Sequence, residues 1–294
     1  MDRQKINCFS AASIALMTIG FSSVVSAAEY DVDFDPTDFP VDPGINTIDN
    51  SYWPLLSGTS FVYSAETEDG CEVNRVTVTS NTKDDFVGDY ATVVALEVDD
   101  MEWFREGECD FLADQEYILM EKTTDWYAQD NFVGTAGGNI WYLGEETEAY
   151  EEEFEIEGGD PIECITDEGA WEAGRDGATA GIVMLGEPIA GLSYQQEYLE
   201  DEAEDMGKVK SLSATVELED DIAGGPYAGC LKTKEWTPLE RGSNEHKYYC
   251  PPDGLVLINE LQGKTVRVEY IGNSLPAGVI FPTDLPEVDD CPED

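Results

Sequence analysis

The chain has 294 residues, with 64 Asp and Glu against 15 Lys and Arg and a formal charge of -49. A surface this negative repels nucleic acid and anionic lipid heads and gathers cations, and salt or bound cations relieve its self-repulsion. With a single histidine, His246, no multi-histidine zinc site can be built, and the G-x-S-x-G, H-E-x-x-H, P-loop and dinucleotide patterns are all missing.

Arg3 and Lys5 precede an apolar stretch from about Ala11 to Val25 and small residues at Ser26, Ala27 and Ala28. This pattern predicts a signal peptide over 1–28. No later stretch approaches the roughly eighteen apolar residues a membrane helix needs, so no membrane span is expected. The mature chain is expected to be exported, periplasmic or secreted. Residues 29–48 read as an acidic, Pro-containing lead-in with no core of its own. Within it Asp31, Asp33 and Asp35 have the opening spacing of a calcium loop, with Asp42 at the twelfth position. Pro36 stands where a tight loop needs Gly, so the EF-hand pattern fails and a looser Ca2+ site at the three aspartates is the candidate.

From Asn50 the pattern turns to β. Thr59–Ala65, Glu72–Val78, Tyr90–Val98 and Thr265–Ile271 are rich in β-branched and aromatic residues, and several alternate with polar ones. Alternation indicates antiparallel sheet with one wet face. Gly, Asn and Asp punctuate at short intervals, which argues for a meander and against alternating βαβ units. The acidic run 145–157 reads as the solvent side of a strand pair, with Tyr150, Phe154 and Ile156 facing inward. Glu197–Lys210 has no helical stripe and reads as strand, loop, strand. His246 lies where a turn leads into a strand and is expected at the surface. Residues 49–272 thus read as β-rich, one large domain or two smaller ones until the resemblance below implies one, and 273–294, with four prolines and many acids, as an extended tail.

Removing the signal peptide takes Cys8 and leaves Cys71, Cys109, Cys164, Cys230, Cys250 and Cys291. An even count in an exported chain predicts disulfides, with fifteen pairings open. Cys230 and Cys250 flank a turn near Arg241–Asn244, and Cys71 and Cys109 fall on neighbouring strands. Those placements favour 71–109 and 230–250, leaving Cys164 for Cys291. Four Trp adjoin an acid: Glu102-Trp103, Asp125-Trp126, Trp171-Glu172 and Glu235-Trp236. Neighbours on a strand point to opposite faces, so Trp is expected in the core and the acid in water.

The segment Tyr52-Trp53-Pro54-Leu55-Leu56-Ser57-Gly58-Thr59-Ser60-Phe61-Val62-Tyr63 resembles the Y-[FW]-P-L-x-x-G-x-x-[FW]-x-Y opening of a group of uncharacterised exported bacterial proteins. The likeness continues through Asp125–Asp130, Gly138–Tyr142, Trp171–Gly174, Gln196–Tyr198, Leu231–Thr233 and Glu235–Glu240, and ends at Lys247-Tyr248-Tyr249 and Gly254-Leu255-Val256. Cys250-Pro251-Pro252-Asp253 departs from the usual A-P-G-V front of that last block. The resemblance implies an all-β domain, a curved antiparallel sheet or open barrel of the lipocalin or lipoprotein-carrier type with few short helices. It implies no settled activity, so no catalytic residue is carried over. Polar residues in the matching blocks mark where a pocket is expected: Asp125, Gln129, Arg175, Gln196, Lys232 and Glu235. Arg175 and Lys232 are expected as buried or half-buried ion-pair partners.

The expected function is a non-enzymatic binding or structural protein of the cell exterior, with a small molecule or divalent cations as partner. The alternative is a glycosidase-like hydrolase using a carboxylate pair, which needs only two acids at the right separation.

Overall fold

The computed structural model describes residues 33–40, 47–154, 161–219, 224–261 and 263–292. The predicted signal peptide, Asp31 and Asp42 lie outside them.

The body is all-β and antiparallel. Its strands are β1 Ser60–Glu66, β2 Gly70–Lys83, β3 Ala95–Glu106, β4 Ile118–Gln129, β5 Ile140–Phe154, β6 Ile162–Thr166, β7 Trp171–Glu172 and β8 Thr179–Met184. They continue with β9 Ser193–Gln195, β10 Glu197–Tyr198, β11 Met206–Val216, β12 Tyr227–Trp236, β13 Glu245–Cys250, β14 Gly254–Glu260 and β15 Val266–Gly272. Among the described residues the only helical pieces are single 3-10 turns, Pro36–Asp38 and Gly88–Tyr90. Tyr90 therefore belongs to a turn, and the strand expected from Tyr90 begins at Ala95.

Thirteen strands follow one another in the order β10-β8-β5-β4-β3-β2-β1-β15-β14-β13-β12-β11-β9, with β6 and β7 added along β5. The first and last of these, β10 and β9, are separated in sequence by Gln196 alone. The sheet is thus a nearly closed barrel, joined at Gln196 by a bend and not by a hydrogen-bonded rung. Closure removes most of the free edge that a flat sheet would expose.

The barrel interior is layered. At one end β2, β3, β4, β5, β12 and β13 contribute Val78, Val98, Tyr127, Ile140, Leu231 and Tyr249, all buried. The segment 47–56 closes this end. Trp53 packs 5.2 Å from Tyr127 and 6.1 Å from Tyr249, on strands six places apart in the sheet order, so its ring reaches across the lumen. Asn50 pins the plug by donating to the carbonyls of Gly138 and Leu185. Further along the same strands the inward residues become acidic.

The outside of the barrel is partly covered. Residues 275–285 of the tail lie on Val62, Val73, Met101, Trp103, Tyr117 and Leu119, and Trp103 Nε1 donates to Pro282 O at 2.7 Å. Phe34 and Phe39 of the lead-in pack 5.2 and 6.2 Å from Trp141, so this part of the lead-in docks on the body. Three disulfides, Cys71–Cys109, Cys164–Cys291 and Cys230–Cys250, follow the favoured pairing. Such bonds belong to an oxidising, extracytoplasmic compartment.

Candidate functional site

Strand alternation builds the acidic layer. Asp100 and Glu102 project from β3, Glu121 and Asp125 from β4, and Glu145 from β5, on the face that carries Val98 and Tyr127 nearer the plug. Asp125 and Glu145 are direct cross-strand partners, as are Glu102 and Glu121. Like charges so placed destabilise a sheet unless protons or cations intervene. On the opposite wall Glu235 of β12 faces Glu245 of β13, and Glu245 faces Glu260 of β14. Between them stands Lys247, with Nζ 3.0 Å from both Glu235 and Glu245.

Hydrogen bonds fix this wall. Glu235 accepts from Thr233 Oγ1 at 2.7 Å and from Gln196 Nε2 at 3.1 Å, and Glu197 accepts from Trp171 Nε1 at 3.0 Å. Thr123 Oγ1 donates to Glu121 Oε1 at 3.1 Å, while Glu121 Oε2, nine-tenths buried, has no hydrogen-bond partner among the described residues. Tyr142 Oη lies 2.6 Å from Asp125 Oδ1 and 2.8 Å from Glu145 Oε2. A phenol has one proton, so only one carboxylate can accept it, and the other must carry a proton of its own to make the second bond. The pair Asp125–Glu145 therefore shares a proton around Tyr142.

The electrostatics agree. Burial first, and then repulsion by Asp100, pushes Glu121 and Asp125 up to about 7. Burial raises Asp100 to about 6, against a hydrogen bond from Asn74 that holds it down. Burial also lifts Glu72 to about 8, Glu260 to about 7 and Asp205 to about 6. Burial, then Asp125, takes Glu145 well above the usual carboxylate range, and burial, then Asp205, does so for Glu197. Burial alone would lower the Lys247 ammonium, but Glu235 and Glu245 override it and hold it well above the usual lysine value. Lys247 also acts on Asp100 and Asp125 from across the barrel, which places all of them around one lumen. That lumen is reached by water: Asp100, Glu145 and Glu260 are half-buried, and the Lys247 side chain is 26% exposed. It is an acid-lined cup with the Lys247 ammonium on its wall, and its raised acids can take up and release protons.

No protein-family model matches the chain, and no curated protein does. Among solved structures it is similar to a "putative lipoprotein" of Parabacteroides distasonis ATCC 8503, at 11% identity, covering 75% of this chain and 97% of that one, with a TM-score of 0.26. A superposition that loose carries no argument about either molecule.

Three of the six residues expected around a pocket, Asp125, Gln196 and Glu235, lie in the cup. The other three do not. Gln129 ties the plug, accepting from the backbone N–H groups of Asp49 and Asn50 at 3.0 Å. Arg175 sits in an exposed turn, its Nε 2.6 Å from Glu172, and is not the buried ion-pair partner expected. Lys232 points outward from β12 over the Tyr248 ring and has no ion pair among the described residues. Strand polarity explains this: β12 turns Thr233 and Glu235 inward, so Lys232 must face out.

The expectation that the acid beside each Trp faces water fails at three sites, although Trp103 and Trp126 are themselves buried as expected. Glu102, Asp125 and Glu235 are buried in the barrel, while Trp103 lies under the tail and Trp126 under Phe86, 6.2 Å away. The covering segments supply an apolar outside that strand alternation cannot reveal. At Trp171-Glu172 the expectation holds, with Trp171 inward on Glu197 and Glu172 outward on Arg175 and Lys83. Within the acidic run Glu146, Glu148 and Glu152 are exposed as expected, but an irregularity between Asp125 and Tyr127 in the β4–β5 register turns Glu145 into the cup. Ile156 lies outside the described residues. Of the candidate calcium ligands, Asp35 accepts from Thr37 N and Oγ1 at 2.9 and 2.7 Å and caps a turn. Among the described residues no group of three or more His, Cys, Asp or Glu is arranged to hold a metal ion.

Proposed function

We propose that the protein is an exported, periplasmic or secreted binding barrel whose acidic cup takes a small organic cation of the amine class. The observation that supports this most is the Asp125–Tyr142–Glu145 cluster, a proton-sharing carboxylate pair. It is flanked by aromatic rings, Tyr127 stacked 4.9 Å and Trp171 edge-on 5.2 Å from Tyr142. An ammonium group can replace the shared proton, donate to both carboxylates and lie against those rings. The unpartnered Glu121 Oε2 offers a further acceptor. The plug closes the apolar end, so the ligand enters from the side of Glu260 and Glu72.

Binding displaces protons from acids held near neutrality, so it strengthens as pH rises. Spermidine is a suitable probe, compared with sodium chloride and with calcium chloride at matched ionic strength. Spermidine in hundredfold excess over its Kd stabilises by about 2.7 kcal/mol, read as a rise in melting temperature. The rise should be large at about pH 8, small at about pH 5.5, and absent in Asp125→Asn/Glu145→Gln. No rise at either pH would defeat the reading, and a rise with calcium alone would make the ligand a divalent cation. The same shared proton favours one second reading, a carboxylate-pair hydrolase. Turnover of aryl glycosides that disappears in Glu145→Gln would establish that reading instead.

A further inference from the structure

The outer face of β11–β13 has the opposite charge to the rest of the molecule. Lys208 and Lys210 of β11 and Lys232 and Lys234 of β12 project from it, four of the chain's 15 Lys and Arg. Lys208 and Lys234 are direct cross-strand partners, and Lys232 pairs with Ser211 one residue from Lys210. His246, the one histidine, lies beside them on β13, where burial and then Lys232, Lys210 and Lys234 lower its pKa. Directly opposed like charges destabilise a sheet. In a chain with 64 acids, none of the four lysines has a carboxylate within ion-pair distance among the described residues. Every other described lysine has one: Lys83, Lys122, Lys247 and Lys264.

Aromatic rings complete the face. Lys232 Nζ stands 5.0 Å from the Tyr248 ring and Lys234 Nζ 5.4 Å from the Trp236 ring, and all four side chains are only half-buried. Two rows of ammonium groups, about 7 Å apart along each strand and about 5 Å between strands, are interleaved with ring faces. That is the equipment for an extended chain carrying anionic groups and apolar CH faces in alternation.

We propose that this face binds an anionic glycan, a sugar polymer bearing carboxylate or sulfate groups. The ammonium groups pair with the anions, and Tyr248 and Trp236 stack on the sugar rings. Contact over a few ångströms survives the net charge of the whole molecule because screening confines long-range repulsion to about a Debye length. A second copy of the chain fits less well, since it brings the full repulsion of another acidic molecule. Nucleic acid carries a denser line of phosphates and meets the same repulsion.

The test uses the mature chain and two probes, polygalacturonate and dextran sulfate, with neutral dextran as control. Lys232→Gln/Lys234→Gln removes two charges from the face, and Lys122→Gln/Lys264→Gln removes two elsewhere. Affinity electrophoresis at physiological ionic strength should show retention by both anionic probes and none by neutral dextran. The first variant should bind roughly tenfold more weakly or worse, and the second within about twofold of the native chain. Circular dichroism and melting of both variants confirm that each is folded. Equal loss in the two variants would show a net-charge effect and overturn the proposal, as would no retention of the native chain. Equal or tighter binding of single-stranded DNA, or a concentration-dependent dimer dispersed by the first variant without glycan binding, would also overturn it.

Discussion

The buried acids take their properties from single contacts. Tyr142 can satisfy only one of its two carboxylates as a donor, so the wall keeps a proton where a polar core would keep none. Glu121 keeps a buried Oε2 that has no hydrogen-bond partner among the described residues. Glu121→Gln removes that charge and keeps an acceptor for Thr123. Denaturant unfolding at about pH 8 should show it more stable by roughly 1–3 kcal/mol. At about pH 5, where Glu121 is already protonated, the gain should vanish. Asp125, Gln196 and Glu235 could be singled out from sequence because they sit in the blocks that resemble the exported bacterial group. Glu121, Glu145 and Lys247 could not, because each lies in an alternating stretch where a charged residue ordinarily faces water. Only ring closure, which makes one face of the strands an interior, assigns them inward.

At the scale of elements, the strands were legible wherever β-branched and aromatic residues alternated, and β1, β2 and β15 fall within a few residues of expectation. The closed ring was not, because it depends on pairings between segments as distant as β1 and β15. The tail was legible as extended but not as a cover. It is held at two places: Phe281 packs 4.7 Å from Tyr117, and Cys291 is bonded to Cys164 across 127 residues of chain. Opening that loop restores up to about 5 kcal/mol of unfolded-state freedom in the chain-entropy account. Cys164→Ser/Cys291→Ser should therefore melt lower, with proteolysis starting between the apolar anchor and residue 291. The barrel strands should stay protected, because Trp103 and Phe281 still hold the middle of the tail. If the whole barrel is digested at the same rate as the tail, the cover is integral to the fold and not an addition to it.

For the whole molecule, the raised acids set the pH dependence. Glu72, Glu121, Asp125, Glu260, Asp100 and Asp205 all bind protons more tightly folded than unfolded, with folded values from about 6 to about 8. Their contribution is complete below the ordinary carboxylate range and is lost as pH rises through those values. Surface repulsion among 64 acids and 15 bases acts in the same direction. The ligand-free protein should therefore melt highest near about pH 5 and lower at about pH 8, where added salt should restore much of the loss. A melting temperature that climbs steadily from about pH 5 to about pH 8 at fixed salt would mean that the cup is neutralised by something other than protons.

The seam between β1 and β15 has a consequence for biogenesis. During export β1 and β2 emerge before β15, so β1 cannot find its second neighbour until β15 has crossed. For that interval the nascent molecule offers an unzipped flank and a bare Trp103 surface to whatever surrounds it. Its own dense negative charge is then the chief safeguard against sticking to its siblings.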